Sequence, residues 1–180
     1  MHEYVDRLGI GVVSVDRELE LEFEARLLET STLAFRVAYS VLRHRHDAED
    51  VAQDAFAKAY RSFRQLHDRD RFRAWLVRTT WRLALDRQRA DRRRLSREST
   101  HAVTPTTQAA TTVEVLAARQ LSEQLWKAID SLPEKLRLVI VLGSIEGHDV
   151  TEVARLTGAP KGTVKSRLFE ARRRLKEQLQ

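Results

Sequence analysis

Residues 151–178 read TEVARLTGAPKGTVKSRLFEARRRLKEQ, two runs with helical apolar spacing around the break Gly158-Ala159-Pro160-Lys161-Gly162. Gly158 suits the left-handed residue that ends a helix. Pro160 lacks the N–H and the backbone freedom to carry a helix straight on. Upstream, Asp149 and Glu152 have capping-box spacing and open the helix VTEVARLTG. A second helix resumes near Gly162, and Val164, Leu168, Ala171 and Leu175 form its apolar stripe. This pattern leaves few folds available, because two short helices must cross at a tight corner and bury those stripes against other helices.

The opposite face of the resumed helix carries Thr163, Ser166, Arg167, Glu170, Arg173 and Arg174. Such a corner aims a helix, and a helix so equipped can enter a DNA major groove. A surface helical hairpin with a solvated basic face is the alternative. The net charge of +6 favours a polyanionic partner, nucleic acid before an anionic membrane. Charge is also segregated. The chain to about Tyr60 is acidic, through Glu18, Glu20, Glu22, Glu24, Asp47, Glu49, Asp50 and Asp54, whereas Arg61–Arg97 and the segment from Arg155 are basic. The preference for arginine over lysine suits phosphate forks, or reflects a GC-rich coding genome.

Cysteine is absent, which excludes disulfides and thiolate metal sites and fits a reducing cytoplasm. The start of the chain lacks a basic lead, and Ile10–Val15 is too short for a signal core or a bilayer span. We therefore expect a cytoplasmic protein. Hydrophobic residues, 42% of the chain, suffice for a packed core.

The periodicity predicts an all-α fold of two small domains. Leu19, Phe23, Leu27, Phe35, Ala38 and Leu42 mark a first helix. A second starts at Asp47 as N-cap and buries Val51, Ala55, Ala59 and Phe63. A third spans about Phe72–Asp91 with the stripe Phe72, Leu76, Thr79 and Leu83. From Leu95 to Val113 the text is rich in Thr and Ala without apolar period, which reads as an interdomain linker. Helices resume at Glu114, and Ser131 with Glu134 forms a capping box around Pro133. The expected division is 1–18 as an extension of unknown role, 19–94, the linker 95–113, and 114–180.

The basic middle, RFRAWLVRTTWRLALDRQRADRRR, interleaves aromatics and arginines. Trp81 falls roughly opposite the apolar stripe, where it either stacks on an unpaired base beside Arg78 and Arg82 or packs under another helix. Asp47, Asp50 and Asp54, with Gln53 beside them, form an acidic stripe suited to docking a basic protein surface. A catalytic carboxylate pair would need a pocket that nothing in the sequence marks. His44 and His46 diverge on a helix, so no metal site is expected. No phosphate loop, nucleophile motif or dinucleotide fingerprint occurs, so neither a cofactor nor an enzymatic activity is expected.

Three stretches occur in one order: DAEDVAQDAFAKAYRSF, FRAWLVRTTWRLALDRQRADRRR and SLPEKLRLVIVLGSIEGHDVTEVARLTGAPKGTVKSRLFEARRRL. Together they resemble a bacterial RNA polymerase sigma factor of the extracytoplasmic-function (ECF) group, from about Leu19 to Leu179 apart from the linker. The resemblance implies a promoter-specificity subunit with a region 2 domain that docks on the β′ coiled coil of the polymerase and opens the −10 element. It also implies a region 4 helix-turn-helix that reads the −35 element and touches the β flap. An anti-sigma factor is a further partner of such proteins. By motif position, Asp47, Asp50, Gln53 and Asp54 fall in the core-docking helix. Arg73, Arg78, Trp81, Arg82 and Arg87 fall in the −10 segment, and Thr163, Lys165, Ser166, Arg167 and Glu170 in the −35 helix, with Arg173 and Arg174 meeting phosphate. Leu66 stands where an aromatic can occur in such factors, Arg82 where a small polar residue is usual, and Glu170 where His or Arg is common; these departures bear on the promoter sequence. The rival readings are a conventional helix-turn-helix regulator with an N-terminal dimerisation or sensing domain, and an enzyme with a helix-turn-helix appendage.

Overall fold

The computed structural model describes residues 6–66, 68–98 and 113–180, with side chains described for 17–66, 68–97 and 120–180. Among these residues every regular element is helical. The α-helices are α1 (Asp6–Leu42), α2 (Arg45–Phe63), α3 (Phe72–Glu98), α4 (Val113–Ser131), α5 (Glu134–Ile140), α6 (Val150–Thr157) and α7 (Lys161–Leu179). A 3₁₀ turn, Arg69–Arg71, leads into α3, and a wide π-type turn, Val141–Ile145, prolongs α5. None of the helices is long and apolar enough to cross a membrane among the described residues.

In the N-terminal half, α1, α2 and α3 pack against one another. Alanines at 52, 55 and 59 let α2 approach closely, and Phe23, Phe63 and Phe72 meet edge to face at 5.2–6.1 Å. In the C-terminal half α7 lies against α4, α5 and α6. Its buried stripe is the expected one, Val164, Leu168, Ala171 and Leu175. The expected inner face of α2, Val51, Ala55, Ala59 and Phe63, is likewise buried.

The two halves share one apolar cluster. Val37, Val41, Val77, Trp81 and Leu85 of the first half join Ile129, Leu132, Leu136, Val139 and Leu156 of the second. Helix α3 therefore buries two faces. Phe72 and Leu76 point into the α1–α2 core, and Val77, Trp81, Ala84 and Leu85 belong to the shared cluster. This explains why the single stripe expected for α3 is incomplete, with Thr79 and Leu83 only half-buried.

Local details differ from the sequence expectations at three places. Helix α2 starts at Arg45, and its N-cap is His44, whose Nδ1 accepts from the Asp47 N–H at 3.4 Å. Asp47 instead sits in the first turn, where a carboxylate still favours the helix N-terminus. The preceding Arg43 turns the chain in the left-handed region, at φ 54°. The Ser131–Glu134 capping box does not form. Ser131 ends α4 by donating its hydroxyl to the Ala128 carbonyl at 2.7 Å, and Pro133 becomes the cap of α5. The ends of the expected linker are helical, since α3 runs to Glu98 and α4 begins at Val113; residues 99–112 lie outside the described residues.

At the corner, Gly158 has φ +72°, and its N–H is donated to the Ala154 carbonyl at 2.9 Å. An L residue there is strained by about 1–2 kcal/mol. Gly162 lies in the first turn of α7 with open space around its Cα. The two positions are thus expected to respond with opposite sign. Gly158→Ala should destabilise the chain by about 1–2 kcal/mol, and Gly162→Ala should leave it unchanged or stabilise it by up to about 1 kcal/mol. Urea denaturation of both variants checks this.

Candidate nucleic-acid interface

Helix α2 offers solvent the side chains of Asp50, Gln53, Asp54, Ala57 and Lys58 along one face. Neither Asp50 nor Asp54 is ion-paired with another described residue. Asp47 differs from them. It is half-buried and held by Arg87 at 2.8 Å. Beside this face Phe35 and Tyr39 stack at 5.9 Å, and Arg45 donates to Glu49 at 2.8 Å, which holds the Glu49 carboxyl below its ordinary range. The result is an acidic surface with two uncompensated carboxylates next to exposed aromatic area, a composition suited to a basic protein partner.

Along α3 the basic residues are distributed differently from the expected open face. Arg82 is exposed. Arg73, by contrast, reaches Glu152 of α6 at 3.3 Å, and Arg78 donates from Nη1 to the Leu156 carbonyl at 3.3 Å. Partial burial, with Arg71 and Arg82 close by, pulls the Arg78 guanidinium below its ordinary value. Arg87 turns back to Asp47 and lies 3.5 Å from Asp91. Trp81 is 3% exposed, with the Arg137 guanidinium 5.4 Å from its ring. Of the two readings of Trp81, the structure has the one in which it packs under other helices, within the cluster shared by α1, α2 and the C-terminal half. Preceding α3, Arg64, Leu66, Asp68, Arg69 and Asp70 line an open cleft whose 3₁₀ turn is capped by Asp68.

The corner itself is built as expected from Asp149, whose Oδ1 accepts from the Glu152 N–H at 2.8 Å. The Glu152 carboxylate does not return the bond; Arg155 and Arg73 take it, which lowers its pKa. Helix α7 then presents Lys165, Ser166, Arg173 and Arg174 to solvent, with Thr163, Arg167 and Glu170 half-buried. Ser166 donates to the Thr163 carbonyl at 3.0 Å, so its oxygen remains able to accept. Glu170 accepts from Arg173 at 2.9 and 3.0 Å and from Arg174 at 2.6 Å. Three residues expected to act separately toward DNA are therefore one internal cluster in the unbound chain.

A family model for Sigma-70 region 2 matches residues 28–94, and one for Sigma-70, region 4 matches residues 122–175. The ECF RNA polymerase sigma factor SigW of Bacillus subtilis is 30% identical over 153 residues, covering 81% of this chain and 82% of SigW. The chain belongs to the ECF sigma factors. The ECF RNA polymerase sigma-E factor of Escherichia coli is 30% identical over 142 residues, 74% of each chain. SigE of Mycolicibacterium smegmatis is 33% identical over 152 residues, although the match spans only 56% of that longer relative. Among solved structures, CnrH in complex with the cytosolic domain of CnrY aligns over 89% of this chain and 88% of its own, at 26% identity and a TM-score of 0.59. The sigma factor RpoE with the anti-sigma factor NepR from Bartonella quintana, at 24% identity and a TM-score of 0.58, covers 88% of this chain and 96% of its own and shares the fold.

This sigma factor is a promoter-specificity subunit that works with RNA polymerase and promoter DNA, rather than a free-standing helix-turn-helix regulator. Its region 2 match contains the acidic face of α2 and the arginines of α3 up to Arg94, and its region 4 match contains the corner and α7 as far as Leu175. Two features escaped the sequence reading. Phe169 is 71% exposed on α7 between Ser166 and Arg173, although its position off the Val164–Leu168–Ala171 stripe could have shown it. The engagement of Arg73 and Arg78 by α6 joins residues about eighty apart in the chain, and no local pattern encodes it.

The Glu170 cluster gives a direct test. Hydrogen bonds from Arg173 first, then Arg174, bring its pKa from 4.5 to about 2. A carboxyl pKa lowered in the folded state means that the interaction is fully present above the ordinary carboxylate range and is lost as pH falls through about 2. A carboxyl-resolved NMR titration should find Glu170 still ionised well below pH 4.5, and Arg173→Ala with Arg174→Ala should return its midpoint toward 4.5.

Proposed function

We propose that the three surfaces divide the work of initiation. The acidic face of α2, through Asp50, Gln53 and Asp54, docks on core polymerase at its β′ coiled coil. Asp47 supports that face by anchoring Arg87 rather than by contact of its own. The arginines of α3, Arg73, Arg78, Arg82 and Arg87, hold the −10 region, with Trp81 available to a separated base once uncovered. The open cleft at Leu66–Asp70 lies where a displaced −10 base can enter. Thr163, Lys165, Ser166, Arg167 and Glu170 read the −35 element in the major groove, Arg173 and Arg174 hold phosphate, and the C-terminal half also touches the β flap.

The observation that carries this reading is the pair of uncompensated carboxylates, Asp50 and Asp54, exposed on α2 in the chain's region 2, on a different helix from the arginines of α3. On this reading the protein supplies binding free energy to open DNA and makes or breaks no bond itself. It acts in the cytoplasm, where the polymerase is. An anti-sigma factor as a further partner follows from family membership alone.

Charge reversal at Asp50 and Asp54 should weaken core binding, increasingly so at low salt, while helix content stays unchanged. Titration of fluorescent core polymerase with the variant checks this, and wild-type affinity would remove α2 from the docking face. On α7, Arg167→Ala should cost about 1–3 kcal/mol at the preferred −35 sequence and relax preference at one position. Arg174→Ala should weaken all sequences alike and lower the salt slope by about one. Holoenzyme binding to single-base −35 variants at several salt concentrations separates the two; a uniform loss with Arg167→Ala would make it a phosphate contact.

A further inference from the structure

A second depression lies beside the cleft that precedes α3, where α1 passes the C-terminal end of α2. Its volume is about 220 Å³, and Phe23, Tyr60 and Phe63 wall it, with Arg61, Arg64 and Glu20 around them. Phe23 and Phe63 are core residues, whereas Tyr60 leaves 55% of its surface to solvent. Tyr60 is nevertheless braced, since its ring meets that of Phe23 edge to face at 5.2 Å. A tyrosine held in this way offers flat ring area to a partner at low entropic cost.

The two depressions are joined. Arg64 lines both, and between them Phe63 of the one lies under the Arg69 guanidinium of the other, 5.0 Å from ring centre to charge. Arg69 in turn pairs with Glu22, which also accepts from Arg26 Nε at 3.1 Å, while Arg26 Nη1 donates to the Arg69 carbonyl at 2.8 Å. Helix α1 therefore fixes this partition through both the side chain and the backbone of Arg69, and the spacing of the two depressions is set in the unbound chain.

The chemistry of the groove selects its occupant. At about 220 Å³ it is smaller than the roughly 300–1,000 Å³ of sites that enclose drug-sized ligands, and it suits a single ring system. Aromatic walls favour a flat π surface. The arginines favour an anion attached to that ring, and Arg61 is held along α2 by donating from Nε to the Ala57 carbonyl at 3.1 Å. A nucleobase with its phosphates has both features, and aromatic platforms beside arginines hold single strands in this manner. An apolar protein side chain would use the rings and leave the arginines without a counter-charge. Glu20 narrows the choice further. Its carboxylate can accept from the exocyclic amine of cytosine or adenine and repels the carbonyl oxygen that thymine has in that place.

We propose that this groove is a second base site of region 2, which takes an unstacked cytosine or adenine of the −10 strand next in line to the base displaced into the cleft before α3. Tyr60 stacks on the base, Glu20 accepts from its exocyclic amine, and Arg61 and Arg64 hold the flanking phosphates. The inference rests on the proposed assignment of region 2 to the −10 strand. With two neighbouring bases held in separate depressions, the strand cannot re-pair at either step. The groove thereby adds both grip on the open strand and a second position at which its sequence is read.

The test titrates holoenzyme, formed with the full chain, against fork-junction promoter DNA whose non-template −10 strand carries one abasic site, moved a position at a time. Wild-type holoenzyme should lose affinity at two adjacent positions, by about 5- to 150-fold at each. Tyr60→Leu keeps apolar cover over Phe23 and removes the ring. It should abolish the loss at one of the two positions and leave the other as it was, and Tyr60→Phe should behave as wild type. On DNA without abasic sites, thymine at the Tyr60-dependent position should bind wild type about fivefold more weakly than cytosine or adenine, and Glu20→Ala should remove that difference. A single sensitive position, or a second one whose loss persists in Tyr60→Leu, would overturn the proposal. So would a Tyr60→Leu chain that binds core polymerase poorly yet is normal on fork DNA once assembled, since the groove would then be a protein contact. If no position of the −10 strand responds to an abasic site, the assignment of region 2 to that strand falls as well.

Discussion

Helix α3 is buried on two sides, and the arrangement of the molecule depends on it. Phe72 and Leu76 complete the α1–α2 core, while Val77, Trp81, Ala84 and Leu85 belong to a second cluster that α1, α2 and the C-terminal half build together. A fully buried valine or leucine side chain contributes about 1.5–3 kcal/mol, so a face bearing Val77, Leu85 and the larger Trp81 is a strong attractor for any apolar partner. Here that partner is the cluster around Leu132, Leu136, Val139 and Leu156.

The apolar contact provides cohesion, and the charges decide orientation. Ion pairs between partly exposed groups contribute little net stability, because desolvation offsets much of the Coulomb attraction. Their one-sided pattern nevertheless selects a single docking register, since a rotated C-terminal half would leave Arg43 and Arg73 partly buried without counter-ions. Asp130 is central to that selection. It receives Arg43 and Arg137 directly and has Arg92 at 4.0 Å, while Arg43 also lies over the Trp126 ring at 4.5 Å. The arginines that orient the halves through carboxylates have the fork geometry that also suits phosphates, in keeping with the proposed role of α3 at the −10 region.

The reading helix follows a related logic at smaller scale. Glu170 keeps Arg173 and Arg174 paired along the outer face of α7, so the charges of that face are already partly neutralised in the unbound chain. On the proposed reading, such pairing would lower unspecific phosphate attraction and leave a larger share of recognition to Lys165, Ser166, Arg167 and the exposed Phe169. An apolar ring on this face is suited to a thymine methyl, and the hydroxyl and guanidinium to base edges or phosphate.

Much of this was legible in the chain itself. Helical periodicity, the Gly158–Pro160 break and the Asp149 cap specify the corner, because each acts within a few residues through backbone sterics and local hydrogen bonds. The stripes Val51–Phe63 and Val164–Leu175 follow for the same reason, as does the exposure of Asp50 and Asp54 opposite a buried alanine face. Caps were less legible, since His44 and Ser131 had several local partners within reach and their flanking chain chose among them. The fate of Trp81, Arg73 and Arg78 was not legible at all. A tryptophan opposite an apolar stripe has the same local sequence whether it faces solvent or a second domain. Only the docking of a half more than thirty positions further along decided it, through burial and charge pairing that depend on distance in space and leave no period in the sequence.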